Sequence, residues 1–424
     1  MSASNITFAD VVHQAISFSP ASKEDALLLD LIDDRWVQRL RDISQTANTR
    51  LVYMFSEHSR FGHSLGVAFL ANMVMHKLAE SYPDEIEPYR QGVSAAALLH
   101  DIGHLAPGSH TAYKTWFPNQ EDKHESVACR IIKESKSLQG IFARYSDNLP
   151  DLVCRIILED SKLPPWTWEI ISGGGWNVDR GNWCMVDSIL AGVSYGKYNI
   201  PALIESIVIT GDKHLALKEN RLDAMMHFAV SRHAMYRQIY QHRVLLAADC
   251  LNKAVVMRAR DLGSKLEFAD EYMRKALDAQ SPADLNLETV YSMRESWWRY
   301  HLMRWCDSND RILADLAERL FNRRLFKTIR VRETDNEKNL LEQVCCAAIT
   351  SGYDPRYYVH RISTHDMHAG DDRQSMLVLM DDGRIKNLSD AEPLFSSMVR
   401  ESKGATKSWI ALPADVKLQI GRTR

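Results

Sequence analysis

Helical spacing of apolar residues is the feature that most constrains the fold of this chain. One helical face comprises Leu65, Ala68, Phe69, Met73 and His76. The same spacing continues in residues 124–145, 184–196 and 222–262. Alternating, strand-like runs are few before residue 340. We therefore expect the first three-quarters of the chain to be nearly all α-helical.

The pattern changes near the C-terminus, where it predicts a short β-hairpin. Ser375–Met380 is a strand candidate, Asp381-Asp382-Gly383 is a turn signal, and Arg384–Leu388 suits the returning strand. The length of 424 residues is more than one compact core usually holds. The predicted fold class is mainly α, with a helical core over 1–262, a helical extension over 263–340 and a small α+β appendage over 341–424.

Composition narrows the class of function. The net charge is −3, so no strong field attracts nucleic acid or an anionic membrane. Met1–Asp10 is polar and lacks the apolar segment of a signal peptide, and no apolar run is long enough to span a bilayer. The seven cysteines are scattered and form no C-x-x-C motif, which argues against a disulfide framework and a thiolate zinc site. These observations predict a cytoplasmic protein without a membrane partner.

Histidines are concentrated in one part of the chain. Seven of the sixteen lie between His58 and His124. The motifs are Arg60-Phe61-Gly62-His63, Leu99-His100-Asp101-Ile102-Gly103-His104, His110, His124-Glu125 and, further on, Val178-Asp179-Arg180. The apolar run Val93–Leu99 would be buried, and it delivers a histidine and a carboxylate at its end. Burying an unpaired carboxylate is costly, and a divalent cation would relieve that cost.

These motifs together supply the ligands of a metal site. Two imidazoles and two carboxylates form a mixed nitrogen and oxygen set that suits Mn²⁺, Fe²⁺, Co²⁺, Ni²⁺ or Zn²⁺, and Mg²⁺ less well. Four protein ligands on an octahedral ion leave positions for a water and a phosphate oxygen. His104 lies four residues after His100, near the end of the helix, and would overhang the metal. We therefore expect one divalent ion per subunit.

The ordered set of motifs resembles the HD-domain superfamily of metal-dependent phosphohydrolases and, within it, the deoxynucleoside triphosphate triphosphohydrolases. The resemblance extends from about Asp10 to Lys327. It is carried by Asp33–Ile43 with Gln45, Arg60–Val67, His100–His104, Asp179–Arg180 with Asp187–Ser188, Tyr240–His242 with the upstream Arg232, and Arg323–Lys327. It implies a helical HD-domain core.

The resemblance implies a role for each matching residue. The metal ligands would be His63, His100, Asp101 and Asp179. The catalytic acid/base residues would be His104, His110 and His124, with Glu125 orienting a neighbouring ring. The substrate-binding residues would be Gln45, Arg60, Arg180, Trp183, Asp187, Arg232, Tyr240 and Gln241. The arginines among them suit phosphate because guanidinium groups donate in pairs. An activating nucleotide would contact Asp33, Gln38, Arg41, Arg323 and Lys327.

The segment around Asp179 departs from the family pattern. Relatives commonly read Asp-x-Asp-Arg-x-Asp-Tyr where this chain has Asn177–Trp183. A carboxylate is thereby replaced by Asn182. A tyrosine that faces phosphate is replaced by Trp183, whose indole donates but cannot accept a hydrogen bond. The metal-binding residues are intact, so the departures bear on triphosphate specificity more than on phosphohydrolase chemistry.

The reaction that the resemblance implies is attack of a metal-bound water or hydroxide on the α-phosphorus of a dNTP, which yields a deoxynucleoside and triphosphate. The partners would be the nucleotide substrate, an activating nucleotide and further copies of the chain, since relatives assemble as dimers to hexamers. Two alternatives stay open. The chain could hydrolyse a nucleoside monophosphate, a cyclic dinucleotide or another phosphoester. It could also be a nucleotide-sensing oligomer with weak catalysis. Hydrolysis of (p)ppGpp fits less well, because Gly103-His104 stands where those enzymes have acidic residues.

Two further motifs allow a specific and a plain interpretation. Ser172–Gly175 could cradle a phosphate, but it lacks the Gly-Lys-Ser/Thr ending of a P-loop, which favours a connector. Trp297–Trp305 interleaves aromatic and basic residues as surfaces that bind nucleic acid do. Helix packing at an interdomain or subunit seam is the favoured interpretation, so nucleic acid is not a favoured partner.

Overall fold

Helices dominate the computed structural model, which describes residues 4–108, 111–120, 124–332, 335–364, 376–404 and 407–423. The helices of the first half are α1 (Lys23–Ile32), α2 (Arg35–Arg39), α3 (Arg60–Ala79), α4 (Pro83–Ile86), α5 (Arg90–Leu99), α6 (Ala112–Trp116), α7 (His124–Glu134), α8 (Lys136–Phe142), α9 (Leu149–Ile157), α10 (Trp166–Ser172), α11 (Val178–Leu190) and α12 (Ile200–Ser206). Those of the second half are α13 (Leu222–Met235), α14 (Arg243–Leu262), α15 (Glu271–Asp278), α16 (Leu287–Ser292), α17 (Glu295–Trp305), α18 (Arg311–Phe321), α19 (Glu337–Thr350), α20 (Pro355–Tyr358), α21 (Leu388–Ala391), α22 (Pro393–Gly404) and α23 (Ala414–Thr423). The mainly α fold class is confirmed.

Short strands form three small sheets. They are β1 (Ile6–Asp10), β2 (Gln14–Phe18), β3 (Ile207–Ile209), β4 (Leu215–Lys218), β5 (Lys327–Val331), β6 (His360–Ser363), β7 (Leu377–Leu379), β8 (Ile385–Asn387) and β9 (Ser408–Leu412). β1 and β2 make an antiparallel hairpin, the second sheet has the order β3-β4-β7-β8, and the third has the order β5-β9-β6. Five of these strands precede residue 340, where few were expected. Apolar runs as short as β3 and β4 carry no periodicity that separates strand from helix.

The predicted helices are present with different boundaries. The stretch 124–145 is divided at Ser135, whose hydroxyl caps α8. Only the first part of the stretch 184–196 is helical, because it belongs to α11, which begins at Val178 and ends at Leu190. The stretch 222–262 is interrupted by a π-helical turn over Tyr236–Tyr240. Capping and local unwinding therefore set boundaries that apolar spacing alone does not reveal.

Helix α3 is buried on most of its surface. The predicted helix is present, with Leu65 and Ala68 buried, Phe69 half-buried, Met73 38% exposed and His76 exposed. The face that these residues share therefore runs from the buried side of the helix to its exposed stripe. The other sides of α3 pack against α5 and α11, and α5 also packs against α1 and α9. The helices that carry the histidine and aspartate motifs are thus direct neighbours.

The predicted C-terminal hairpin is present. β7 and β8 pair antiparallel, and Gly383 in their turn has φ of +84°, a conformation that favours glycine. Ser375, the first residue of the predicted strand, lies outside the described residues. β7 also pairs in parallel with β4, so the hairpin extends a sheet that begins in the N-terminal part. β5 shares a sheet with β9 across residue 341. The three-part division of the chain stays a prediction.

The aromatic helix α17 packs inward. Trp298 and Trp305 are 2% and 1% exposed, and His301 is fully buried between them. The indole of Trp305 donates to the carbonyl of Phe268, and that of Trp297 donates to Asp270. These contacts agree with the helix-packing interpretation of this segment.

Two general expectations can be compared with the described residues. All seven cysteines are free thiols, as their scattered spacing predicts. Among the helices of the described ranges, none combines the length and the apolar character that crossing a bilayer requires.

A fully buried arginine organises the segment that follows α5. Arg39 has no exposed surface, and its guanidinium donates to the carbonyls of Ile102 (3.3 Å), His104 (2.9 Å), Tyr291 (3.1 Å) and Met293 (3.0 Å). Burial, followed by repulsion from a neighbouring arginine, lowers the pKa of Arg39 to about 9. The side chain therefore joins α2, the segment after α5 and the end of α16 through backbone acceptors.

Replacing Arg39 with Met is expected to reduce the free energy of unfolding by about 4 kcal/mol, because several buried carbonyls lose their donor. Arg35→Met is the matched control. Arg35 lies on the same helix, and its ion pair with Glu288 is exposed, so we expect a loss below about 1 kcal/mol. Urea unfolding measures both values. Equal losses in the two variants would contradict a special role for Arg39.

A buried aspartate joins α14 to the turn that follows the first helices. Asp249 is 9% exposed and accepts a hydrogen bond from Asn48 Nδ2 at 2.7 Å. Burial raises the pKa of Asp249 to about 6, although the bond from Asn48 acts in the opposite direction. The folded-state pKa lies above that of an unfolded aspartate. The buried Asp249 carboxyl group therefore contributes its full stabilisation below about pH 4, and this contribution is lost as the pH rises through about 6.

Asp249→Asn should remove this pH-dependent loss. Relative to wild type, the variant is expected to gain roughly 2 kcal/mol in the free energy of unfolding between about pH 4.5 and about pH 7.5. Urea unfolding at both pH values measures the gain. Asp212→Asn, at an exposed turn position, is the control and should show no such gain. A pH-independent difference for Asp249→Asn would show that the carboxylate ionises normally in the folded protein.

Candidate metal centre and active site

Helices α3, α5 and α11 bring the four predicted metal ligands together. His63 lies in the first turn of α3, His100 and Asp101 directly follow α5, and Asp179 lies in the first turn of α11. His63 Nε2 is 3.0 Å from Asp179 Oδ1 and 3.6 Å from Asp101 Oδ2. His100 Nε2 is 3.4 Å from Asp101 Oδ1 and 3.7 Å from Asp179 Oδ1. The Asp179 side chain is 32% exposed and the others are buried, so the cluster opens to solvent beside Asp179.

The rear nitrogen of each imidazole faces an acceptor. His63 Nδ1 lies 3.0 Å from Asn182 Oδ1, and His100 Nδ1 lies 2.8 Å from the carbonyl of Ala97. A proton on each Nδ1 leaves a lone pair on each Nε2 of the neutral rings. Both lone pairs converge on Asp179 Oδ1, itself an acceptor, and His100 Nε2 is buried without a hydrogen-bond partner. Acceptors that face one another need a cation among them, so these residues fit a divalent metal.

Asp101 connects two neighbouring groups of candidate ligands. One group comprises His63, His100 and Asp179, and the other comprises Asp101, His104 and His124. Within each group the ligand atoms lie within 4.8 Å of one another. Asp101 Oδ2 accepts from Arg60, while Asp101 Oδ1 is 3.2 Å from His104 Nε2. The structure thus places Asp101 between the predicted metal ligands and the predicted acid/base histidines.

The carboxylates of the cluster are held ionised. Burial acts to raise the pKa of Asp101, but Arg60, His100 and His104 lower it well below its usual range. Burial also opposes ionisation of Asp179, yet the neighbouring rings of His100 and His63 lower its pKa. Burial acts to lower the pKa of His100, but the two carboxylates raise it to about 9. Protons and a metal therefore compete for the same lone pairs.

The predicted acid/base histidines stack on each other. The rings of His104 and His124 lie 4.0 Å apart at 19°. Burial, then the charges of Arg60 and His124, lower the pKa of His104 to about 3. His124 is more exposed, and its Nε2 is 3.3 Å from Glu125 Oε1, as an orienting role of Glu125 requires. His110 lies outside the described residues.

The three predicted phosphate-binding arginines differ in their contacts. Arg60 pairs with Asp101 and is almost fully buried. Arg180 donates to the carbonyl of Gly173 at 2.8 Å, which anchors the glycine-rich connector. Arg232 has a buried Nε without a hydrogen-bond partner. Of the three, Arg232 has a buried donor that can serve a ligand without breaking a contact.

A second cluster surrounds Asp187. Its Oδ1 lies 2.7 Å from His58 Nε2, and its Oδ2 accepts from the hydroxyl of Tyr240 at 2.5 Å. Trp183 stands edge-on to Tyr240, with ring centroids 5.4 Å apart at 84°. Gln45 is 7% exposed, and its Oε1 is buried without a hydrogen-bond partner. The structure thus joins Asp187, Tyr240 and Trp183, and it adds His58, for which the sequence analysis predicted no role.

Gln241 has a different environment from its neighbour Tyr240. It lines a pocket of about 330 Å³ whose other lining residues are Arg237, Gln238, His242, Arg243, Arg330, Lys407 and Trp409. The prediction that Gln241 and Tyr240 contact one nucleotide stays a prediction.

The candidate activator residues form two separate sets of contacts. Gln38 Oε1 accepts from Arg41 Nε at 2.8 Å, and Asp33 ends α1 nearby. Arg323 Nε donates to the carbonyl of Leu51 at 2.7 Å, and Lys327 begins β5. Their role as one nucleotide site stays a prediction.

The N-terminal hairpin contributes a residue that the sequence did not single out. His13 Nε2 lies 3.5 Å from Asn182 Nδ2, and Asn182 is the residue behind His63. His13 stands outside the dense histidine region of the sequence. Helical spacing also gave no sign of the hairpin, so no signal pointed to this contact.

Comparisons with known proteins agree with this geometry. Residues 60–209 match the family described as HD domain. The uncharacterized protein YwfO of Bacillus subtilis is 28% identical over 421 residues, which cover 96% of this chain and 92% of that protein. The deoxynucleoside triphosphate triphosphohydrolase SAMHD1 of Danio rerio is 26% identical over 270 residues, which cover 56% of this chain and 42% of that protein.

A solved structure supports the fold. A phosphohydrolase from Bacteroides thetaiotaomicron superposes with a TM-score of 0.81 over 97% of this chain and 100% of that one, at 24% identity. At this identity the likeness concerns the fold alone. The family match shows that residues 60–209 form an HD domain, and the sequence relatives of this chain include SAMHD1.

Proposed function

We propose that this chain hydrolyses deoxynucleoside triphosphates to deoxynucleosides and triphosphate in a metal-dependent reaction. The observation that carries the proposal is the convergence of His63, His100, Asp101 and Asp179 with their lone pairs facing one another. The similarity to relatives named deoxynucleoside triphosphate triphosphohydrolases supports the substrate class. The family resemblance also implies a nucleotide activator and assembly of several copies, and the scattered free thiols suit a cytoplasmic site of action.

His63, His100 and Asp179 would hold one divalent ion, with Asp101 completing the set. When bound, the ion supplies a Lewis acid that lowers the pKa of water and polarises the phosphorus centre. Two imidazoles and two carboxylates suit Mn²⁺, Fe²⁺, Co²⁺, Ni²⁺ or Zn²⁺.

The arginines would neutralise the triphosphate. Arg232 offers a buried donor without a protein acceptor, and a phosphate oxygen would satisfy it. The ion pair of Arg60 with Asp101 keeps its guanidinium beside the metal ligands, where its positive charge would attract the phosphates. Arg180 would exchange its bond to Gly173 for one to phosphate, so its contribution to binding should be smaller.

His124 is the better proton donor of the two stacked histidines. Its ring is more exposed than that of His104, and its Nε2 lies 3.3 Å from Glu125 Oε1, which can orient it. His104 is buried beside Arg60, where a second positive charge is unfavourable. We therefore assign protonation of the leaving 5′-oxygen to His124 and assign positioning of its ring to His104.

The residues around Asp187 would hold the sugar. Both oxygens of Asp187 already have protein partners, whereas Gln45 Oε1 has none and can accept a hydroxyl proton. Trp183 and Tyr240 form an aromatic wall beside Asp187. The arrangement suits a deoxyribose that places its 3′-hydroxyl against Gln45.

A product assay tests the proposed reaction. Each dNTP is incubated with the protein and Mn²⁺, and the products are resolved by chromatography. We expect deoxynucleoside and inorganic triphosphate from the wild type, and a loss of at least about a thousandfold in rate for His100→Ala/Asp101→Ala. His76→Ala, which alters an exposed histidine of α3, is the control and should retain the activity.

The alternatives give other results in the same assay. Inorganic phosphate released from monophosphates, or an opened cyclic dinucleotide, would indicate another phosphohydrolase of this family. Tight nucleotide binding without turnover in any divalent metal would indicate a sensor. An equal rate in wild type and double variant would assign the activity to a contaminant.

Metal removal tests the centre itself. Dialysis against a chelator should lower the midpoint of thermal unfolding, and re-added Mn²⁺ should restore it, since a ligand at about 100 times its Kd stabilises the folded state by about 2.7 kcal/mol. His63→Ala should abolish this response and His76→Ala should keep it. Elemental analysis should give one ion per chain. Two ions would show that Asp101, His104 and His124 also bind metal.

A further inference from the structure

The turn of the N-terminal hairpin lies directly behind the candidate metal centre. Asp10 Oδ1 accepts from the backbone N–H groups of Val12 (2.8 Å) and His13 (2.7 Å), which holds the turn between β1 and β2. The His13 ring packs on Phe69 of α3, with centroids 5.2 Å apart. Its Nε2 lies 3.5 Å from Asn182 Nδ2. The hairpin thus presents one polar ring atom to α11.

Asn182 connects this turn to a metal ligand. It is fully buried on α11, and its Oδ1 lies 3.0 Å from His63 Nδ1. A Cβ on Gly66 would lie 2.1 Å from Asn182 Nδ2, so only glycine at that position leaves room for the amide. One turn of α3 therefore supplies both the histidine that the amide contacts and the space that the amide occupies.

The oxygen of the Asn182 amide accepts hydrogen bonds and its nitrogen donates them. The two neighbouring histidines therefore determine which way the amide points. His63 Nδ1 must carry a proton if Nε2 is to bind a metal, so it needs the oxygen of Asn182. The Nδ2 of Asn182 then points to His13, whose Nε2 must accept. Burial lowers the pKa of His13, although Asp10 acts in the opposite direction, and a neutral ring provides that acceptor. If the Asn182 amide were flipped, its Nδ2 donor would face the proton on His63 Nδ1, and two donors would oppose each other.

We propose that His13 and Asn182 are positioning residues of the metal centre. His13 orients the amide of Asn182, and the amide fixes the ring and the tautomer of His63. The inference rests on the proposed metal centre and adds residues that do not touch the metal. A carboxylate at position 182 would accept through either oxygen and would need no partner to set its direction. The dependence on His13 is therefore specific to an amide.

Metal affinity, measured by competition with a chromogenic chelator, tests this chain of contacts. Asn182→Leu is expected to weaken Co²⁺ binding about 10–100-fold, because partners behind a ligating histidine typically contribute that much. His13→Phe keeps a ring against Phe69 but has no acceptor, and it should weaken binding several-fold. His13→Gln supplies a side-chain acceptor and should restore much of the loss. His76→Phe, the same change at an exposed position of α3, should leave affinity unchanged.

A second pair of variants tests the amide argument directly. In an Asn182→Asp background, His13→Phe should have no further effect on Co²⁺ affinity, because the carboxylate needs no orientation. Thermal unfolding in the presence of chelator checks that each variant folds like the wild type without metal. The d–d absorption of bound Co²⁺ reports the ligand geometry independently of turnover.

The outcomes separate this inference from the proposed function. If the wild type binds no divalent metal, the metal centre is wrong and this inference goes with it. If the wild type binds Co²⁺ and His13→Phe and Asn182→Leu bind it equally tightly, the metal centre stands and the positioning roles are overturned. An undiminished effect of His13→Phe in the Asn182→Asp background would overturn the directional role of the amide.

Discussion

The arrangement of acceptors at the candidate metal centre is the constraint on which the rest of the structure depends. His63 and His100 each donate from Nδ1 to a fixed acceptor, and each turns its other nitrogen toward Asp179. Such an arrangement is unfavourable in a buried cluster unless a cation lies among the lone pairs. The packing of α3, α5 and α11 has to be tight enough to hold it, and the fully buried Ala95–Ala97 on α5 permit that approach.

Two glycines show how closely the helices must approach. A Cβ on Gly66 would meet the side chain of Asn182 at 2.1 Å, and one on Gly103 would meet the carbonyl of His124 at 2.0 Å. The glycine of the His-Asp-Ile-Gly-His motif is therefore required because the backbone of α7 passes so close to it. Its own backbone conformation does not require glycine. It allows His124 to stack on His104. Arg39 fixes the same segment from the opposite side through the carbonyls of Ile102 and His104.

The sequence predicts the metal centre better than the surroundings of that centre. Residues such as His100 and Asp101 stand at the end of an apolar run, so their placement follows from the helix that precedes them. The contact of His13 with Asn182 joins residues far apart in sequence. The strands on either side of His13 are too short for the spacing of their apolar residues to indicate a strand. Likewise, the spacing of apolar residues predicts that α3 is a helix but not which of its sides is exposed. Neighbouring elements cover most sides of this helix, and Met73 lies on the exposed stripe.

Helix α11 shows why the departures from the family pattern need not disturb the metal chemistry. Adjacent residues of a helix face different directions. Asn182 faces His63 and His13, whereas Trp183 faces the aromatic rings of Tyr236 and Tyr240. The first contact concerns the support of a metal ligand, and the second concerns the wall of the proposed sugar site. A single helix thus carries two neighbouring substitutions with separate consequences, so substrate preference can differ from that of the relatives while the ligand set remains intact.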